Sequence, residues 1–142
     1  MDRKASARWE GPLREGRGTI KLGSGAFEGA YSFGTRFEGS PGTNPEELLG
    51  GAHAGCFSMA LSLMLTKAGH PPTTIETTAT VHLDKVGEGF GITGIDLATT
   101  GTVPGLSSAE FQRHAEDAKN NCIVSKALAG VPMRLTATLA AG

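Results

Sequence analysis

Asn44-Pro45-Glu46-Glu47-Leu48-Leu49-Gly50-Gly51-Ala52-His53-Ala54-Gly55-Cys56-Phe57-Ser58-Met59-Ala60-Leu61-Ser62-Leu63-Met64-Leu65-Thr66-Lys67-Ala68-Gly69 reads as one long helix whose two ends are both marked. Asn44 is a good N-cap, Pro45 suits the first helical position, and Glu47 stands at capping-box spacing from Asn44. Gly69 supplies the C-terminal stop, and Pro71-Pro72 prevents the helix from resuming. Between these ends, Leu48, Ala52, Met59, Leu63 and their neighbours cover nearly the whole circumference with apolar or small side chains. A helix that is apolar all round is a buried helix. It must be enclosed by sheet on more than one side, or by a partner subunit. The small residues Gly50, Gly51, Ala52, Ala54, Gly55 and Ala60 would let another backbone come close.

Working outward, the segment before this helix reads as strands. These are Ala5 to Glu10, Thr19-Ile20-Lys21-Leu22, and a third made of Tyr31-Ser32-Phe33 with Arg36-Phe37, ended by Glu38-Gly39-Ser40-Pro41-Gly42. After the helix, Thr74 to Leu83 alternates Ile75, Thr77, Ala79, Val81 and Leu83 against polar residues, the mark of a half-buried strand. Val86-Gly87-Glu88-Gly89 turns the chain, and Phe90 to Thr102 returns with Ile95 and Leu97 inward. Ser107, with Glu110 three residues on, opens a second helix that carries Phe111, Ala115, Ala118 and Cys122 on one face. A last strand runs from about Met133 to Ala140. The order predicts an α+β fold with mainly antiparallel sheet, and 142 residues suit a single domain over 1–142.

Composition narrows the function. Thirteen basic against fourteen acidic side chains give a net charge of −1, which offers nothing to neutralise phosphates, so a nucleic-acid partner is not expected. No apolar run reaches the roughly 18 residues of a membrane span. The opening Met1-Asp2-Arg3-Lys4 is followed by mixed polar sequence, which reads as lacking a secretory signal. Two cysteines are too few for a disulfide framework or a structural zinc site, and they suggest a reduced, cytoplasmic setting.

Cys56 lies mid-helix and Cys122 ends the second helix, each on an apolar face, so the two can meet in the core. Free cysteine is also an ordinary core residue, and each could be inert. A reactive thiol needs help to ionise at neutral pH. A guanidinium about 4 Å away, at an effective dielectric of ~20, supplies about 4 kcal/mol before burial opposes it. Arg36, between Phe33 and Phe37, is the leading candidate, and an ordinary solvated arginine is the alternative. Glu46 and Glu47 suit a helix N-terminus, where they complement the dipole. One of them could instead hold Arg36 in a bidentate pair. Ten residues separate Glu46 from Cys56, about 15 Å along an unbroken helix. Either the helix breaks near Gly50-Gly51, or the carboxylate serves the cysteine of a partner chain. His53, three residues before Cys56, reads as a packed or interfacial residue, with a base or a metal ligand as the alternative. His70, His82 and His114 carry no assigned role.

At these residues the chain resembles the OsmC (osmotically inducible protein C) family, whose wider group includes the organic hydroperoxide resistance (Ohr) proteins. The resemblance rests on Thr35-Arg36-Phe37-Glu38-Gly39, Gly42 to Gly50, Ala52 to Leu61, Leu83-Asp84-Lys85-Val86, Val103-Pro104-Gly105 and the Cys122 segment. It implies an intertwined homodimer with sheets wrapped around long central helices and two sites at the interface. It implies a thiol-dependent peroxidase of stress defence that prefers organic hydroperoxides. By motif match Cys56 is the peroxidatic cysteine, Cys122 the resolving one, Arg36 orients the thiolate and Glu46 positions Arg36. No bound cofactor or metal is implied. An external dithiol of lipoyl type is the implied reductant. One departure is Ile123, where the family has proline after the second cysteine.

Residue chemistry fits the same cycle. A thiolate attacks the peroxide, becomes a sulfenic acid, and condenses with the second thiol to a disulfide that a dithiol reduces. Two alternatives stand beside it. One is a thiol hydrolase or acyltransferase using Cys56 with His53 as base. The other is a non-enzymatic binding protein for apolar ligands.

Overall fold

The computed structural model describes residues 1–141. They divide into two compact units, Met1–Leu48 and a second that begins at Leu49.

The first unit holds β1 (Ala5–Glu10), β2 (Arg17–Leu22) and β3 (Glu28–Tyr31), an antiparallel sheet with β2 in the middle. The third strand was expected to continue through Phe33 and Arg36-Phe37; the chain instead forms a short helix, α1 (Phe33–Phe37). The physical reason is a reciprocal cap. Ser32 Oγ accepts from Thr35 N–H at 3.2 Å while Thr35 Oγ1 accepts from Ser32 N–H at 2.9 Å. The helix also brings Phe33 and Phe37, four residues apart, to a ring separation of 5.0 Å. Strand propensity of the aromatic residues loses to these local interactions.

Helix α2 (Pro45–Lys67) begins as expected, with Asn44 Oδ1 accepting Glu47 N–H at 2.8 Å. It ends one residue before the expected Ala68. His70 N–H reaches Leu65 C=O at 2.9 Å and Gly69 N–H reaches Thr66 C=O at 3.0 Å, with Gly69 at φ +86. These bonds satisfy the last orphan carbonyls, and the left-handed position suits glycine. The helix is continuous through Gly50-Gly51.

In the second unit, β4 (Thr74–Val86) pairs antiparallel with β5 (Gly89–Thr102), and β6 (Met133–Leu139) joins β5 in parallel. The parallel pair was not foreseen within a mainly antiparallel arrangement. It follows from α3 (Ser108–Asn121) and α4 (Ile123–Ala127), which carry the chain back between β5 and β6. Ser107 and Glu110 form the expected capping box of α3. The core gathers Phe57, Leu61 and Leu65 of α2, Ile95 and Leu97 of β5, and Phe111, Ala115 and Ala118 of α3. Ser58 Oγ donates to Thr77 Oγ1 at 2.8 Å, and Thr77 meets Thr99 at 2.9 Å, so a line of hydroxyls pins α2 to β4 and β5.

Helix α2 has two unlike sides. His53, Phe57, Leu61 and Leu65, spaced by four, are fully buried. Gly51, Gly55, Met59 and Leu63, on the opposite side, are exposed, Met59 at 77% and Leu63 at 55%. By length and composition α2 could pass for a membrane span, which counting uninterrupted apolar residues overlooked. Its buried stripe packs in the protein core instead.

Phe111 also sets a stability test. A Cβ added at Gly101 would stand 2.5 Å from the Phe111 ring. Gly101→Ala is expected to destabilise by about 1–3 kcal/mol through overpacking. A lowered urea midpoint at unchanged slope checks it.

Candidate active site

In the first unit the α1 cap aims Arg36 at Glu46 on the first turn of α2. Arg36 Nε donates to Glu46 Oε1 at 3.1 Å and Oε2 at 3.3 Å, and a terminal guanidinium nitrogen donates to Oε1 at 2.9 Å. The carboxylate is buried, whereas the Arg36 side chain is 38% exposed. Asn44 Nδ2 donates to Thr35 C=O at 3.3 Å, so the residue that caps α2 also holds the C-terminal part of α1. Arg36 lies 5.3 Å from the Phe37 ring centre, a cation over an aromatic face. Of the two candidate carboxylates, Glu46 holds the arginine; Glu47 is exposed and contributes its backbone N–H to the cap.

In the second unit the two cysteines come together, both as free thiols. Cys56 is half-buried on α2, at the border between its buried and exposed sides. Cys122 is buried at the corner where α3 ends and α4 begins. Val124 N–H donates to Cys56 Sγ at 3.5 Å. Burial pushes the Cys56 thiol up; the Val124 amide opposes this, the neighbouring Cys122 thiol adds to it, and the Ile123 amide opposes it again. No cation acts on the thiol among the described residues of its surroundings. Ile123 thus contributes a backbone donor that proline could not, and its side chain is 80% exposed.

Cys122 caps α4. Its Sγ accepts Ser125 N–H at 3.3 Å, and its thiol donates to Ser125 Oγ at 3.2 Å. Ser125 Oγ lies 2.7 Å from His53 Nε2. His53 is fully buried, and burial lowers its pKa, which favours the neutral ring. The hydrogen bond His53 makes is to Ser125 and not to Cys56. That removes the geometric support for His53 as the base of a Cys56 acyl transfer. Ser125 had no place among the expected site residues. The signal for it was the spacing Cys122-Ile123-Val124-Ser125, in which the fourth residue of a helix start returns its amide to the first. Among the remaining histidines, His82 pairs with Asp96 at 2.8 Å, away from the thiols in sequence and on the surface of the β4–β5 pair.

The first unit thus offers a buried ion pair, and the second offers two adjacent free thiols. Among the described residues no cluster of histidine, cysteine or carboxylate side chains is arranged to hold a metal. The family model for OsmC-like protein matches residues 37–136. The chain is 53% identical over 129 residues to peroxiredoxin OsmC of Escherichia coli, covering 90% of each chain. It is 32% identical over 103 residues to the organic hydroperoxide resistance protein of Xanthomonas axonopodis, covering 72% of this chain and 70% of that one. The crystal structure of an organic hydroperoxide resistance protein from Elizabethkingia anophelis superposes with a TM-score of 0.75 at 26% identity, covering 96% of each chain.

Proposed function

The chain belongs to the OsmC-like protein family and is a cysteine-based peroxidase of stress defence, and from that premise we propose that it reduces organic hydroperoxides through Cys56 and Cys122. The observation that carries the reading is the convergence of the two free thiols, with the Val124 amide directed at Cys56 Sγ. The Cys56 thiolate attacks the peroxide oxygen remote from the alkyl group, the O–O bond breaks, and the alkoxide leaves and takes a proton to become the alcohol. Cys56 then carries a sulfenic acid. Cys122 attacks that sulfur, its proton and the hydroxyl leave as water, and a disulfide remains. An external dithiol, of lipoyl type in our reading, restores both thiols by exchange. This cycle uses sulfur alone and calls for no prosthetic group.

We assign activation of Cys56 to the Arg36–Glu46 pair of a second protomer. Two observations support this. Burial raises the Cys56 thiol, and no cation among the described residues opposes it. The unbroken α2 also sets Glu46 and Cys56 about 15 Å apart along its axis. The exposed Gly51, Gly55, Met59 and Leu63 side of α2 is apolar and small enough to seat another helix. On this reading residues 1–142 form one family domain, the unit of function is a homodimer, and the location is the cytoplasm, where thiols stay reduced. Apolar walls beside Cys56 would favour alkyl hydroperoxides, at about 0.8 kcal/mol per buried methylene.

Stopped-flow mixing of reduced protein with cumene hydroperoxide and, separately, hydrogen peroxide tests the proposal. Faster reaction with the organic peroxide, with both thiols lost, is the expected result. Survival of both thiols in excess organic peroxide would sink it. Light scattering at micromolar concentration checks the dimer; a monomer at that concentration would refute the second-protomer assignment.

A further inference from the structure

We infer that Ser125 and His53 form a buried proton relay for the resolving cysteine, a role resting on the two-cysteine cycle proposed above. The chain of contacts is continuous: Cys122 Sγ to Ser125 Oγ at 3.2 Å, then Ser125 Oγ to His53 Nε2 at 2.7 Å. All three residues are buried, His53 completely. A hydroxyl between two titratable groups can accept from one and donate to the other. With the His53 proton on Nδ1, Nε2 is free to accept from Ser125, and Ser125 is free to accept from the thiol. Nδ1 is the one buried side-chain nitrogen or oxygen among the described residues that lacks a hydrogen-bond partner. Leaving such an atom unsatisfied carries its full desolvation penalty. A packed apolar residue at position 53 would avoid that penalty, so the ring's presence calls for a reason.

Resolution supplies the reason. As Cys122 sulfur bonds to the sulfenic sulfur of Cys56, the S–H proton passes to Ser125 Oγ and the Ser125 proton passes to His53 Nε2. The S–OH bond of Cys56 breaks, and hydroxide departs toward the open side of half-buried Cys56, where solvent protonates it to water. His53 holds its proton until the external dithiol reduces the disulfide, when it returns through Ser125 to the Cys122 thiolate; closure itself balances as thiol, sulfenic acid and one solvent proton giving disulfide, water and protonated His53. Ser125 touches the reacting sulfur and is the catalytic residue here; His53 acts through it and is a positioning residue that also holds the proton.

The test is a single turnover. Reduced protein meets one equivalent of cumene hydroperoxide and is quenched at intervals with dimedone or an alkylating reagent, and mass spectrometry counts sulfenic acid and disulfide. Ser125→Ala should slow disulfide closure about 10²-fold, the scale of one proton-transfer catalyst, with dimedone-labelled Cys56 accumulating. Ser125→Thr, which keeps the hydroxyl, should restore closure to within about fivefold. His53→Gln keeps a hydrogen-bond acceptor but cannot hold the proton; it should slow closure and abolish its solvent deuterium isotope effect. Wild-type closure rates in both Ser125→Ala and His53→Gln overturn the relay alone. So does a Ser125→Thr variant as slow as Ser125→Ala, since packing would then explain the loss. If wild-type protein consumes peroxide without forming the Cys56–Cys122 disulfide, the two-cysteine cycle itself fails and the relay falls with it.

Discussion

Replacement of Cys56 by serine is expected to remove organic hydroperoxide reduction, by on the order of 10⁴-fold or more, while leaving the protein folded. The hydroxyl is a poor nucleophile at neutral pH, and losing the nucleophile removes the whole covalent route rather than one contribution to it. Folding should persist because Cys56 is only half-buried and serine keeps an acceptor for the Val124 amide that lies 3.5 Å from Sγ. Cys122→Ser makes the informative contrast. It should still consume one equivalent of peroxide, then stop with a sulfenic acid on Cys56 that dimedone traps. A rate loss in Cys122→Ser equal to that of Cys56→Ser in the first turnover would show that the roles of the two thiols have been misassigned.

The second large effect is expected at Arg36. Arg36→Met should lower the second-order rate constant for cumene hydroperoxide about 30-fold. A guanidinium about 4 Å from a thiolate supplies about 4 kcal/mol at an effective dielectric of ~20, and roughly half survives solvent screening; 1.36 kcal/mol is a decade. The pH profile should move with it. Burial already holds the Cys56 thiol above its ordinary value, so thiolate and rate grow as pH rises through the thiol's pKa. Losing the cation moves that rise to higher pH, and the deficit should shrink in alkaline buffer. Stability should fall too, because buried Glu46 loses the partner that holds it through three hydrogen bonds. Breaking a buried pair costs about 3–5 kcal/mol, and the partial exposure of Arg36 reduces the expectation to about 1–3. The double variant Arg36→Met with Glu46→Gln should regain stability without regaining rate. Rates within twofold of wild type from pH 6 to 9 would exclude Arg36 from the activation of Cys56.

Residues 44–69 announce α2 because every local preference there agrees: a capping asparagine, a proline at the first turn, an apolar interior and a glycine stop. The alternation of Thr74 to Leu83 and the Phe111, Ala115, Ala118, Cys122 face were legible for the same reason, since each periodicity is set by neighbours in sequence. The Arg36–Glu46 pair was readable as a possibility and became a pair only through the Ser32–Thr35 cap, whose polar bonds outweigh the strand preference of Phe33 and Phe37. Tertiary structure alone decided what crosses between distant segments. Strands β5 and β6 are parallel because α3 and α4 return the chain, a matter of long-range pairing that no local pattern encodes. Ser125 meets His53 across 72 residues of sequence, and neither carries a local signal of the other. Local hydrogen bonding and periodicity set the elements of this protein; the packing of α2 against the Cys122 corner decided that the two free thiols lie together, because only long-range burial brings segments distant in sequence within reach.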